Sequence, residues 1–311
     1  MNRFLQHTGA KYPIVQAPMG WIARSQLASA VCNAGGMGII ETSSGETENC
    51  LAEIEKMKGL TEAPFGVNLP IMFLKDPGLL QHICDSGVKF VTTSAGSPRK
   101  FIGPLKEAGI TVYHAVPTVD AAMNCVDAGV DGLVVEGAEG GGFKNPEEVS
   151  TLVLLQAIRK QTDIPMVAAG GIADGKGMAA AFALGAEAIQ MGTRFVSSAE
   201  SPVHMNYKQA ILDAKETGTY VLNKKATPCI RALKTERTAK IHEDGLMPPD
   251  TFKGILDVYF GGDMEAAVGL AGQSSGLIDE VKTARQIIDE TVEEFFAITE
   301  RMGALNAAKT F

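Results

Sequence analysis

The sequence predicts an α/β fold: a (β/α)8 TIM barrel with a small helical lid or substrate domain inserted after the eighth strand. Eight short apolar runs recur at regular spacing, the segments between them have helical periodicity and close on glycine, and the rhythm stops after the eighth run. Strands covered on both faces read as continuous apolar runs, so this pattern selects a parallel barrel over a half-exposed antiparallel sheet.

In chain order the runs are Pro13–Gln16, Met37–Ile40, Phe65–Asn68, Lys89–Thr92, Thr111–His114, Gly132–Val135, Pro165–Ala168 and Glu187–Gln190. The helices between them end at Gly35, Gly87, Gly109, Gly129 and Gly185, where a left-handed cap turns the chain back toward the sheet. From about Val203 to Glu265 the pattern is mixed and helical, broken at Gly245-Leu-Met-Pro-Pro249. The chain returns through Gly269–Gly276 to an amphipathic final helix, Asp279 to Met302, with Val281, Ala284, Ile288, Val292 and Phe295 on one face. The expected division is a barrel over residues 1–205, an inserted substrate or lid domain over 206–264, and a return to the barrel over 265–311.

Composition narrows the function. A chain of 311 residues with 45% hydrophobic content suffices for one large barrel. A net charge of −8 and a pI near 5.3 argue against a nucleic-acid surface. The five cysteines are scattered without CxxC spacing, which fits reduced thiols and neither a disulfide framework nor a metal site. With no signal-like N-terminus and no run approaching a membrane span, the expectation is a cytoplasmic protein without a membrane partner.

The strand ends carry the chemistry. The sixth run opens into GLVVEGAEGGGFKNP, whose glycines at 140 to 142 leave bare backbone for something to lie against. The seventh ends in Ala169-Gly170-Gly171 and the eighth in Met191-Gly192-Thr193, the two places where such barrels commonly hold a phosphate on freed backbone N–H groups. Gly170 and Gly171 alone read equally as a tight turn; the pairing of glycine loops at adjacent strands favours the cradle. Met19 and Asn68, at the ends of the first and third runs, suit an apolar wall and a polar group for a planar cofactor, although Met19 and Trp21 also read as core.

Together YPIVQAPMGW, AGGMGII, PFGVN, VTTSAGSP, EGAEGGG, AAGGIADGKG, GAEAIQMGTRF and AGQSSGLI resemble the successive motifs of the nitronate monooxygenase (2-nitropropane dioxygenase) family, which includes the FMN-dependent enoyl-[acyl carrier protein] reductases. The resemblance spans nearly the whole chain and is weakest over about 205 to 265. It implies that FMN lies beside Pro18, Met19 and Gly20, with Asn68, Glu136 and Gly141 as further contacts and Gly170, Gly171, Gly192 and Thr193 around its phosphate. Where many relatives read Glu-Ala-Gly-Gly-His, with the histidine taken as catalytic acid or base, this chain has Phe143, which cannot move a proton. Some nitronate enzymes place a lysine after strand five, and here the residue is Ala115. The candidate replacements are His114, Lys144 and Tyr207; His114 also reads as a structural histidine and Lys144 as a solvated charge, and Phe143 reads instead as a ring that stacks on substrate or flavin.

The implied activity is hydride transfer through flavin N5 between NAD(P)H and an activated C=C such as an enoyl thioester. The alternatives are oxidation of alkyl nitronates by O2 and flavin binding without turnover. Lys224, Lys225, Arg231, Lys234, Arg237 and Lys240 read either as a solvated helix face or as a landing site for the phosphates of NADPH, of coenzyme A or of an acyl carrier protein. The expected partners are a small-molecule or acyl-thioester substrate and, as an assembly, a homodimer.

Overall fold

The computed structural model describes residues 2–74, 76 and 78–308. Its strands are β1 (Ile14–Gln16), β2 (Ile39–Ile40), β3 (Gly66–Pro70), β4 (Phe90–Ser94), β5 (Thr111–Val116), β6 (Gly132–Glu136), β7 (Gly142–Lys144), β8 (Met166–Ala169), β9 (Ala188–Met191), β10 (Thr219–Leu222) and β11 (Cys229–Leu233). All eight expected runs appear as strands, forming one parallel sheet in the order β1-β9-β8-β6-β5-β4-β3-β2. A parallel bridge between Val15 and Met37 links its two edges, so the barrel is nearly closed. The five helix-ending glycines all have positive φ, between 71° and 97°.

The bottom of the barrel is plugged by the N-terminal helix Arg3–Thr8. The Asn2 side chain caps it by accepting from the Leu5 N–H at 3.0 Å, and Arg3 pairs with Glu187 ahead of β9. Phe4 is fully buried and meets Phe90 and Tyr113 edge-on at 6.0 and 6.1 Å. Burial of such a ring contributes roughly 1.5–3 kcal/mol, so the plug holds the lower core rigid.

The segment after β9 departs from the helical expectation. It holds the helices Met205–Leu212 and Glu236–Asp244, but also the antiparallel pair β10 and β11. β11 in turn pairs with β7, the short strand formed inside the glycine-rich loop, so that loop is one edge of the insert's sheet. Leu222, Ile230 and Ala232 pack with Ile241 and Val268 in a small core of their own. The dense Lys, Arg and Glu around these short strands obscure their apolar residues in the sequence. The final helix runs from Ala284 to Ala308, five residues later than the expected start, because a 3-10 turn over Gln273–Leu277 and an extended stretch precede it. It packs on the helices Gly175–Ala183 and Ser25–Asn33. Among the described residues no helix is long and apolar enough to cross a membrane.

Candidate active site

Strand periodicity builds the site. Side chains on one face repeat every second residue, and Val15, Ile39, Phe90, Tyr113, Val134, Val167 and Ala188 pack together inside the barrel. Two residues further along the same strands come Ala17, Glu41, Thr92, Ala115, Glu136, Ala169 and Gln190, joined by Asn68 from β3. The layer below is large and apolar; this upper layer is small and polar. It is the floor of the mouth at the C-terminal ends of the strands, where barrel enzymes place their chemistry.

Several of these groups are held in place. The Asn68 amide donates within reach of the Thr92 carbonyl at 3.1 Å and the Thr92 hydroxyl at 3.0 Å. Glu41 is fully buried, pairs with Arg24 at 2.9 Å, and accepts from the N–H groups of Trp21 and Ser43, fixing the turn that carries Pro18, Met19 and Gly20. By contrast the Gln190 side chain, at the edge of burial, makes no hydrogen bond to the other described residues and keeps its carboxamide open to the mouth.

The two glycine turns lie beside that floor. Gly170 and Gly171 have φ of +95° and +73°, a backbone that a larger residue would strain. The Thr151 hydroxyl sits 3.0 Å from both the Ala169 carbonyl and Glu139, and Glu139 also accepts from the Thr151 N–H, tying the glycine-rich loop to the turn after β8. Gly192 leads into a four-residue helix, Thr193–Val196, and faces Ala17 and Met19 across β1. The backbone N–H groups of Gly171, Gly192 and Thr193 donate to no group among the described residues. The Thr193 hydroxyl accepts from the Gly272 N–H at 2.9 Å.

Gly141 shows why the loop is glycine. A Cβ there would lie 2.6 Å from the Ala271 carbonyl carbon and 2.8 Å from the Gly272 nitrogen. Backbone presses on backbone, and the Gln273 N–H closes the contact by donating to the Glu139 carbonyl at 2.8 Å. Arg231, expected on an exposed cationic patch, is instead buried: its Nε donates to the Ala138 carbonyl at 2.8 Å and its Nη1 to the Thr219 hydroxyl at 3.0 Å. Lys224 pairs with Glu148 and Lys234 lies over the Tyr220 ring, so much of the patch is engaged within the protein.

The candidate acid–base groups separate. His114 shares the face of β5 with Val112 and Val116, which point into the helix-facing cores, so it lies behind the barrel wall while Tyr113 and Ala115 face the axis. Its ring is 4% exposed, stands 2.7 Å from the Thr93 hydroxyl, and is held neutral by burial, with its pKa lowered from 6.5 to about 4. Tyr207 is also buried, its hydroxyl donated to the Leu270 carbonyl at 2.8 Å and its pKa pushed well above 10 by desolvation. Lys144, which sequence reasoning favoured as a solvated charge, has a side chain only 3% exposed and ion-paired to Glu136. Phe143 points the other way, 49% exposed, with Phe73 at 5.5 Å and Phe252 at 6.4 Å between ring centroids. Gln190 and Thr92 belong to the floor and were missed; their signal was the two-residue step beyond the apolar positions of β9 and β4.

An open cavity of about 600 Å³ lies at the other end of the barrel, lined by Lys11, Asn33, Thr61 and Arg285 where the strands begin. Neither the glycine-rich loop at 140 to 142 nor Gly170, Gly171 or Gly192 lines it, so the mouth is the better candidate.

Comparison with known proteins shows the family. A family profile described as Nitronate monooxygenase matches residues 2–77 and 74–294. The chain belongs to the nitronate monooxygenase family. The structure of FabK from Thermotoga maritima superposes on this family member with a TM-score of 0.92 at 39% identity, covering 98% of this chain and 99% of that one. The nitronate monooxygenase of Pseudomonas aeruginosa is 30% identical, over 94% of this chain and 99% of its own. A Rhodococcus jostii protein, (3aS,4S,5R,7aS)-5-hydroxy-7a-methyl-1-oxo-octahydro-1H-indene-4-carboxyl-CoA dehydrogenase, is 29% identical over 96% of this chain and 97% of its own. Its homologues are thus oxidoreductases.

Proposed function

We propose that this family member binds FMN at the barrel mouth and reduces an activated C=C, such as that of an enoyl thioester, with NAD(P)H. Bound there, FMN supplies the exchange of hydride between a nicotinamide and a carbon acceptor. The residues present fit the group. The free N–H groups of Gly171, Gly192 and Thr193 suit a single phosphate; the unpartnered Gln190 carboxamide and Asn68 suit the ring's heteroatoms; Pro18, Met19 and Gly20 suit its apolar edge. Gly170 and Gly141 keep side chains out of the way, and Glu136 holds Lys144 beside the floor.

The observation that favours a thioester over a small anion is the aromatic wall. Phe73 from the turn after β3, Phe143 from β7 and Phe252 from the insert meet over the mouth, with Met72 exposed beside them. An alkyl nitronate has little apolar surface to lay on such a wall; an acyl chain has much. The carboxyl-CoA substrate named for the Rhodococcus relative is of the same thioester class. A second reading, oxidation of alkyl nitronates by O2, is favoured by the family profile and by the Pseudomonas relative.

Anaerobic titration of the FMN-loaded protein with NADPH, followed by crotonyl-CoA, tests the first reading. Bleaching of the flavin by NADPH and its recovery with the thioester are expected. Nitronate-dependent O2 uptake without recovery by any enoyl thioester would replace it with the second.

A further inference from the structure

Reduction of a double bond needs a proton as well as a hydride, and the Phe143 ring has none to give. His114 lies behind the barrel wall, and the Tyr207 hydroxyl is committed to the Leu270 carbonyl. Lys144 remains. β7 alternates its side chains, so the strand that turns Phe143 toward Phe73 turns Lys144 back toward Glu136 on the barrel floor. There the ammonium lies against Gly140, where a Cβ would sit 2.8 Å from Nζ and would also strike Glu136. An ammonium this buried, without a carboxylate beside it, would be several kcal/mol out of balance, so Glu136 compensates its charge and holds it in place.

We propose that Lys144, positioned by Glu136, is the proton donor of the reaction. This rests on the thioester reading above. The C=C π bond breaks; the carbon β to the thioester carbonyl takes a hydride, with its two electrons drawn from NAD(P)H, and the α carbon takes a proton from Nζ. NAD(P)H leaves as NAD(P)+, and the neutral amine recovers its proton from solvent. Before transfer, the ammonium also stabilises negative charge growing on the thioester oxygen. The ionisable groups around Lys144 are Glu136 from β6, in contact, and, further off, Cys229 opposite it on β11 with Arg231, Lys224 and Glu148 beyond.

The test uses Lys144→Met and Lys144→Arg in full-length, FMN-loaded protein, with crotonyl-CoA as acceptor. Both variants should bind FMN, measured by fluorescence quenching, and be reduced by NADPH within about twofold of wild type, because neither step needs this proton. Re-oxidation by crotonyl-CoA should slow by ~10²–10⁴-fold in both, since a guanidinium keeps the charge and the ion pair but does not release its proton. The pH profile of re-oxidation should differ from that of the wild type in both variants. If Lys144→Met fails to fold, Lys144→Arg carries the test. Re-oxidation of Lys144→Arg at the wild-type rate with the wild-type pH profile would overturn the donor role while leaving the reductase reading intact. Loss of FMN affinity in step with re-oxidation would make Lys144 a structural residue only. Wild-type protein that no enoyl thioester re-oxidises would overturn the reductase reading and the donor role with it.

Discussion

Replacing Gly141 with alanine isolates the contact on which the glycine-rich loop depends. Gly141 does not use left-handed backbone, so alanine brings no conformational strain; its effect is the added methyl group. That methyl would start 2.6 Å from the Ala271 carbonyl carbon, and ordinary contact begins near 3.4 Å, so the two backbones must part by at least 0.8 Å. The Gln273–Glu139 bond of 2.8 Å and the Gly272–Thr193 bond of 2.9 Å span this junction, and a shift of that size takes both past the range of a hydrogen bond. At about 0.5–1.5 kcal/mol each, the loss is roughly 1–3 kcal/mol. If the closed loop is the FMN-competent state, the dissociation constant should rise by about 5–150-fold. Fluorescence titration of the apo-protein with FMN measures it, and thermal unfolding of the same apo-protein shows whether the barrel has been spared. Wild-type FMN affinity in Gly141→Ala would refute the argument that this junction shapes the flavin site.

Shortening the aromatic wall by Phe143→Ala should weaken octanoyl-CoA more than butanoyl-CoA, by up to ~4-fold per methylene that the ring covers; equal losses for both would place the acyl chain elsewhere. His114 makes a pH prediction. Its folded pKa is depressed to about 4, so as pH falls below 6.5 the unfolded chain takes up a proton that the native ring refuses, and stability drains away down to about pH 4 and no further. The loss is on the order of 3 kcal/mol, and the difference in unfolding free energy between wild type and His114→Asn, measured from pH 8 to 4, should trace it; a flat difference would mean that the ring is solvated. Arg231→Met should lower stability by roughly 2–4 kcal/mol, because the Ala138 carbonyl and Thr219 hydroxyl lose their donor. Unchanged unfolding together with a salt-sensitive rise in KM would return Arg231 to the role of a phosphate receptor.

The barrel was legible in the residues because its signals are local. An apolar run, a helical period and a glycine at a helix end are each set by a few neighbouring side chains, and all eight strands and the five capping glycines follow from them. The glycine turns after β8 and β9 were legible for the same reason: Gly170 and Gly171 need positive φ wherever the chain goes. Partnership across the fold is another matter. Nothing local to Phe143-Lys144 says that β7 will pair with β11, about 85 residues on, and it is that pairing which fixes which of the two side chains faces the floor. His114 shows the converse. Its place at the end of an apolar run suggested a catalytic group, yet a strand has two faces, and the choice between mouth and wall is made by packing around Tyr113 and Val116. Arg231 read as part of a solvated or substrate-binding patch because charge in a sequence carries no burial; it is buried because the loop it holds leaves the Ala138 carbonyl in need of a donor. Short-range conformational preference wrote the scaffold, and long-range hydrogen bonding and packing chose which residues of that scaffold face the site.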